Sequence, residues 1–136
     1  MNTKQTGDET EARILAALIA DGYSVSVPFG DNDKYDLVVD TGTELLRVQC
    51  KTGWIEGDVV RFKTTSKTTA DGETTMESYD GSIDAFAVRC KETDELYWVP
   101  IEDTGKKSTY LRLTEPEIDH PSVNRADTYR FEVRLP

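Results

Sequence analysis

The sequence predicts an α/β domain built on a mixed β-sheet. Two observations carry that reading: one amphipathic helix near the N-terminus, then a succession of short strand-like runs divided by tight turns. The helix is expected over residues 9–20, where Ile14, Leu15, Leu18 and Ile19 recur at helical spacing and Asp21-Gly22 supplies the stop. Strands are expected over residues 23–27, 35–40, 44–51, 59–64, 84–90, 96–99 and 128–135. Residues 100–103 add a helical turn, and the Thr-rich residues 64–75 read as a mobile polar loop. No repeat, linker or second long helix is visible, so residues 1–136 are expected to form one domain with one core.

Composition narrows the class. Hydrophobic residues make up 37% of the chain, and no apolar run nears the roughly 20 residues of a membrane span. The N-terminus lacks the apolar core of a secretory signal, so a cytoplasmic location and no membrane partner are expected. Cys50 and Cys90 make neither a disulfide framework nor a CxxC metal pair and read as reduced thiols. A net charge of −10 opposes the basic footprint of a nucleic-acid binder. The positive charge is, however, gathered: residues 61–70 hold Arg61, Lys63 and Lys67 and no acidic residue, and Lys106, Lys107 and Arg112 form a second group. The acidic, Thr-rich, Lys-poor composition also suits a halophilic source, where molar salt cuts the Debye length to about 3 Å. An ordinary acidic protein is the other reading.

The chemistry concentrates in the second and third strands. If residues 35–40 and 44–51 form an antiparallel hairpin, a turn at Gly42-Thr43 pairs Asp36 with Gln49, and a turn at Thr41-Gly42 pairs Asp36 with Arg47. Either register places Asp36, Gln49 and Lys51 on one face and sends Leu46, Val48 and Cys50 to the opposite, packed face. A carboxylate, an amide oxygen and an ammonium side by side suit phosphodiester cleavage. Oxygen donors hold a hard divalent cation such as Mg²⁺ (or Mn²⁺), and Lys51 would meet the scissile phosphate. An ordinary polar pair across a hairpin is the bland alternative. Glu11 lies 4 and 7 residues before Leu15 and Leu18 and so extends the helix's buried stripe toward the sheet. Asp8 and Glu11 also match a capping box, in which Glu11 would merely return to the cap's amide.

Residues 23–39, with Pro28-Phe29-Gly30-Asp31 at their centre, together with Glu11 and Arg47-Val48-Gln49-Cys50-Lys51-Thr52, resemble the PD-(D/E)xK endonucleases related to group I intron homing enzymes. They resemble archaeal Holliday junction resolvases more distantly. The likeness continues through Ile83-Asp84-Ala85-Phe86-Ala87-Val88 and Tyr97-Trp98-Val99-Pro100-Ile101, covering about residues 5–113. It implies a restriction-endonuclease-like mixed β-sheet flanked by helices, metal-dependent hydrolysis of DNA, and a homodimer or higher homo-oligomer, since cutting both strands takes two sites. The resemblance implies a metal site of Glu11, Asp36, Gln49 and the Cys50 backbone carbonyl, with Lys51 as the catalytic lysine. Tyr35 stands where the namesake motif has proline, Gln49 stands where many relatives carry a carboxylate, and Thr10 precedes Glu11 where glycine is expected. A catalytically silent module that binds DNA or protein, and a junction resolvase, are the competing functions.

Arg61, Lys63 and Lys67 are candidate DNA phosphate contacts. Trp54 reads as a rim aromatic, and His120, the only histidine, as inert in a Pro-flanked loop.

Overall fold

A computed structural model of the chain describes residues 3–30, 32–114 and 123–136. Helix α1 (Thr3–Ala20) is followed by β1 (Ser24–Ser26), β2 (Leu37–Asp40), β3 (Leu45–Glu56), β4 (Val59–Lys63), β5 (Thr65–Ala70) and β6 (Glu73–Ser78). Then come β7 (Ala85–Cys90), β8 (Leu96–Pro100), a 3₁₀ turn (Ile101–Asp103), β9 (Ser108–Arg112), α2 (Ala126–Tyr129) and α3 (Phe131–Arg134). Among the described residues, no helix is long and apolar enough to cross a membrane.

Strand β3 is the spine. Its 12 residues pair antiparallel with β2 at the start, parallel with β7 from Val48 to Gly53, and antiparallel with β4 at the end. Strands β1 and β9 extend the sheet beyond β2 and β4, and β8 lies outside β7. Strand β7 is buried along its whole length, as suits a strand covered on both faces. The sheet thus has a core on each face. On one, Ile14 and Leu18 of α1 pack with Leu37, Val39, Val48, Ala85, Ala87, Trp98 and Phe131. On the other, Phe62, Tyr79, Ile83, Phe86, Val88, Tyr97 and Leu111 pack with Ala126 and Tyr129. The segment of α2 and α3 is therefore used on both sides, Tyr129 closing one core and Phe131 the other.

The hairpin takes the first of the two expected registers. Leu37 faces Val48 and Asp40 faces Leu45. The Thr41 N–H donates to the Glu44 carbonyl at 3.0 Å, and Gly42 at φ 95° opens the turn, the position where glycine meets no steric penalty. Leu46, Val48 and Cys50 face the α1 core, as the alternation requires.

Four expectations are corrected. Residues 64–75 are not a loop: most of them form the antiparallel ribbon β5–β6, turned by Asp71 and Gly72 at φ 54° and 79°, the both-positive pattern of a type I′ hairpin. Residues 128–135 are not a strand but the short helices α2 and α3, whose tyrosine and phenylalanine are spent on the two cores. Helix α1 starts at Thr3, so Asp8 lies inside it and cannot be an N-cap, which removes the capping-box role for Glu11. Ile19 is 56% exposed, outside the buried stripe of Thr10, Ile14 and Leu18. The expected turn at residues 100–103 is present. Strand β9 was not among the expected strands, and its Thr109 and Leu111 alternate into the core. His120 lies outside the described residues.

Gly53 sits where β3 passes from β7 to β4. A Cβ there would lie 3.0 Å from Val60 Cγ1 and 3.1 Å from both the Arg61 carbonyl oxygen and Val88 Cγ1. Gly53→Ala is expected to destabilise the protein by about 1–3 kcal/mol through overpacking, measured as a lowered urea midpoint with an unchanged slope.

Candidate active site

Asp36 lies one residue before β2, where the ladder to β3 stops. With Leu37 opposite Val48, the next hydrogen-bonded pair would be Tyr35 with Cys50. The Cys50 N–H instead donates to Asp36 Oδ2 at 3.0 Å, while the Asp36 N–H donates to the Val48 carbonyl at 2.8 Å. The carboxylate therefore stands in for a strand carbonyl and lies at the sheet edge, rather than squarely on one face.

That edge position lets Asp36 act on groups from both sides. Gln49 and Lys51 alternate along β3 and share the face of Phe86 and Val88, their partners on β7. Glu11 reaches the same edge from α1. A cleft of about 240 Å³ is lined by Glu11, Asp36, Tyr35 and Asp33 with the loop residues Val27, Pro28 and Gly30, and Phe29 beside it is fully exposed. Burial raises the pKa of Glu11, and the Asp36 and Asp8 charges raise it further. Burial also raises Asp36, against the lowering effects of the Cys50 N–H and the Lys51 ammonium. Lys51 is shifted down, again chiefly by burial, with Asp36 opposing and Lys63 assisting. Its Nζ lies 4.9 Å from the Tyr79 ring centroid and donates to the Thr65 carbonyl at 3.4 Å.

The donor chemistry fits a hard divalent cation. Two carboxylates that repel one another share a half-buried edge, and the neutral oxygens nearby are the Gln49 amide and the Cys50 carbonyl. Gln49 Nε2 lies 3.5 Å from that carbonyl. Among the described residues, no three His, Cys, Asp or Glu side chains converge on one point, so a cation here would draw on those neutral oxygens and on water. The Cys50 thiol is pushed well up by burial and by both carboxylates, so it stays protonated and unreactive.

Helix α1 is fixed over the sheet by a buried guanidinium that sequence reading did not single out. The Arg89 side chain on β7 is 8% exposed and binds Glu9 Oε1 at 3.1 Å, Asp94 Oδ1 at 2.6 Å and Thr10 Oγ1 at 3.4 Å. Thr10 in turn meets the Thr52 hydroxyl at 2.6 Å. Residues 9 and 10 are thereby held to β7 and β3, and Glu11 follows them into the cleft. Arg89 carries the one charge in the apolar run Ala85–Cys90, the signal that could have exposed it. Of the basic candidates, Arg61 is engaged: it pairs with Glu56 at 3.1 Å and lies over the rings of Trp54 and Tyr110. Lys63 and Lys67 are exposed.

The sequence profile of the PD-(D/E)XK endonucleases matches residues 1–132. The chain belongs to this family. The match runs past Leu113, so the C-terminal segment is part of the family pattern after all. Among solved structures, this PD-(D/E)XK endonuclease is similar to the bacterial homing endonuclease I-Ssp6803I. The TM-score is 0.77 at 25% identity, over 97% of this chain and 90% of the other. No curated protein sequence matches it significantly.

Because its folded pKa is raised, the Asp36 carboxylate favours the folded state only while protonated, and that benefit is lost as pH rises through the folded value. Asp36→Asn keeps an acceptor for the Cys50 N–H and removes the charge. At pH 7 and without divalent ions it is expected to melt above wild type by calorimetry. The gain should fade as pH falls below the usual aspartate range, where the wild-type carboxyl is protonated in both states.

Proposed function

We propose that this protein is a divalent-metal-dependent DNA endonuclease whose site is formed by Glu11, Asp36, Gln49, Lys51 and the Cys50 carbonyl. The observation that carries this reading is the Asp36 carboxylate, held on the Cys50 N–H between Glu11 and Lys51. Glu11, Asp36, the Gln49 amide oxygen and the Cys50 carbonyl would hold Mg²⁺ or Mn²⁺. The bound ion supplies charge stabilisation at the phosphate and lowers the pKa of water at the site.

Lys51 does the work that falls to the chain itself. Burial makes its ammonium a poorly solvated cation whose charge is felt strongly at close range. Beside the scissile phosphate it would stabilise the negative charge that develops as water adds to phosphorus and the bond to the leaving sugar oxygen breaks. The Tyr79 ring and the Thr65 carbonyl hold it in place. Lys63 and Lys67 would contact phosphates; Arg61, already partnered, is the weakest of the three. Gln49 contributes no charge, so the metal affinity of this site rests on two carboxylates.

The wider reading follows from the reaction. Two-strand cleavage calls for a homodimer or higher homo-oligomer. The homing endonuclease fold neighbour favours a duplex target over a four-way junction. The acidic composition fits a halophilic cytoplasm, in which salt screens repulsion from DNA.

Supercoiled plasmid and a synthetic four-way junction, each with Mg²⁺ or Mn²⁺ at low and molar KCl, test the proposal. Wild type is expected to nick or linearise plasmid, EDTA to stop it, and Asp36→Ala and Lys51→Ala each to lower the rate at least about 100-fold. Gln49→Glu is expected to lower the Mg²⁺ concentration giving half-maximal rate. A wild type silent with every metal and salt would leave a binding module on a nuclease fold. Preference for the junction would make it a resolvase.

A further inference from the structure

The ribbon β5–β6 has no place in the main sheet. It forms a two-stranded sheet of its own, and β6 is exposed at every residue. An isolated two-stranded ribbon is marginal in water, and this one has no apolar face to bury. Its root is tied to the body of the protein: Lys51 Nζ donates to the Thr65 carbonyl at 3.4 Å, Ser66 hydrogen-bonds the Tyr79 phenol, and Lys34 Nζ reaches Glu77 Oε2 at 2.8 Å and the Ser78 carbonyl at 3.2 Å. The root thus lies against the lysine of the site.

The register divides the ribbon into two unlike faces. Thr65 faces Ser78, Lys67 faces Met76 and Thr69 faces Thr74, while Ser66 faces Glu77 and Ala70 faces Glu73. Directly opposed residues share a face, and the Thr69 and Thr74 hydroxyls, 3.2 Å apart, meet accordingly. One face therefore carries Thr65, Lys67, Thr69, Thr74, Met76 and Ser78, with no carboxylate. The other carries Glu73 and Glu77, and its root is turned to the body of the protein through Ser66 on Tyr79 and Glu77 on Lys34. In a chain of net charge −10, a carboxylate-free face with one lysine is a local exception.

We infer that the β5–β6 ribbon lies in the groove of duplex DNA flanking the cleaved phosphate and reads it with the Lys67–Thr69–Thr74–Met76 face; this rests on the nuclease reading above. The major groove admits a two-stranded ribbon, hydroxyls donate or accept to any base edge, and methyl or thioether groups suit the thymine methyl. Strands of 6 residues span about 20 Å, the rise of about six base pairs. The length of the ribbon, unexplained by packing, is then the length of the sequence it inspects, and Lys67 takes a phosphate at the groove's edge.

The test uses the full chain carrying Asp36→Asn to bind without cutting, and the otherwise wild-type chain to cut. Binding of a duplex pool of random sequence is followed by anisotropy across KCl concentrations. Cleavage sites are mapped by sequencing ends cut from a random-sequence plasmid library with Mg²⁺. Lys67→Ala is expected to weaken binding about five- to tenfold and to reduce the salt slope by about one. Thr69→Ala with Thr74→Ala is expected to change which sequences are cut. Glu73→Gln, on the other face, should leave affinity within about twofold and the preference unaltered. These residues are exposed, so loss of folding does not confound the comparison. A wild type that binds no duplex overturns both readings. A wild type that binds and cuts, with Lys67→Ala and the double threonine variant indistinguishable from it, overturns the ribbon alone.

Discussion

The backbone N–H of Cys50 needs an acceptor once β2 has ended, and the Asp36 carboxylate supplies it. A buried N–H left unpaired costs about 1–3 kcal/mol, and a bond to a charged acceptor is among the stronger kinds. That one bond fixes where β2 stops, and it holds the carboxylate at the border between the two faces of the sheet. Everything else in the site is arranged by reference to it. Gln49 and Lys51 flank Cys50 on β3, so their positions follow from the same strand. Glu11 arrives over the edge from the helix. The long β3 strand makes this possible, because its β2-paired and β7-paired stretches meet at Val48, two residues before Cys50.

The same arrangement works against stability. Two carboxylates raised by burial and a lysine lowered by it are three groups held in a less favourable state than water would give them. The fold tolerates this because the neighbouring structure is heavily determined: apolar cores lie on both faces of the sheet, and Arg89 anchors the helix. A cluster of groups shifted in this way marks a candidate site.

Much of this was legible in the sequence. Gly42 narrowed the hairpin to two registers, apolar alternation chose the face of Leu46, Val48 and Cys50, and the spacing of Glu11 from Leu15 and Leu18 aimed it at the sheet. The misses have physical causes. The β5–β6 ribbon carries the strong hairpin signal Asp71-Gly72, but its strands bury nothing, so no hydrophobic alternation marked them. Residues 128–135 looked like a strand because Tyr129, Phe131 and Val133 alternate, yet two of the three face different cores across short helical turns. Helix α1 was read as starting late because its first two turns are polar and contribute hydrogen bonds to Arg89 rather than apolar contacts. Asp36 was expected on a face and lies at the edge, because a side chain replaced a backbone partner, an exchange that no periodicity records.

The contacts that join the two carboxylates differ greatly in range. Asp36 meets Cys50 across 14 residues, within one hairpin. Glu11 is placed through Arg89, whose bonds to Thr10 and Glu9 span 79 and 80 residues. Closing so long a segment carries a larger entropic cost and waits on β7 reaching β3, whereas the hairpin can form from local contacts. Asp36 is thus placed at a small closure cost and Glu11 at a large one, so the repulsion between the two carboxylates is borne by the long-range contacts of Arg89 rather than by the hairpin.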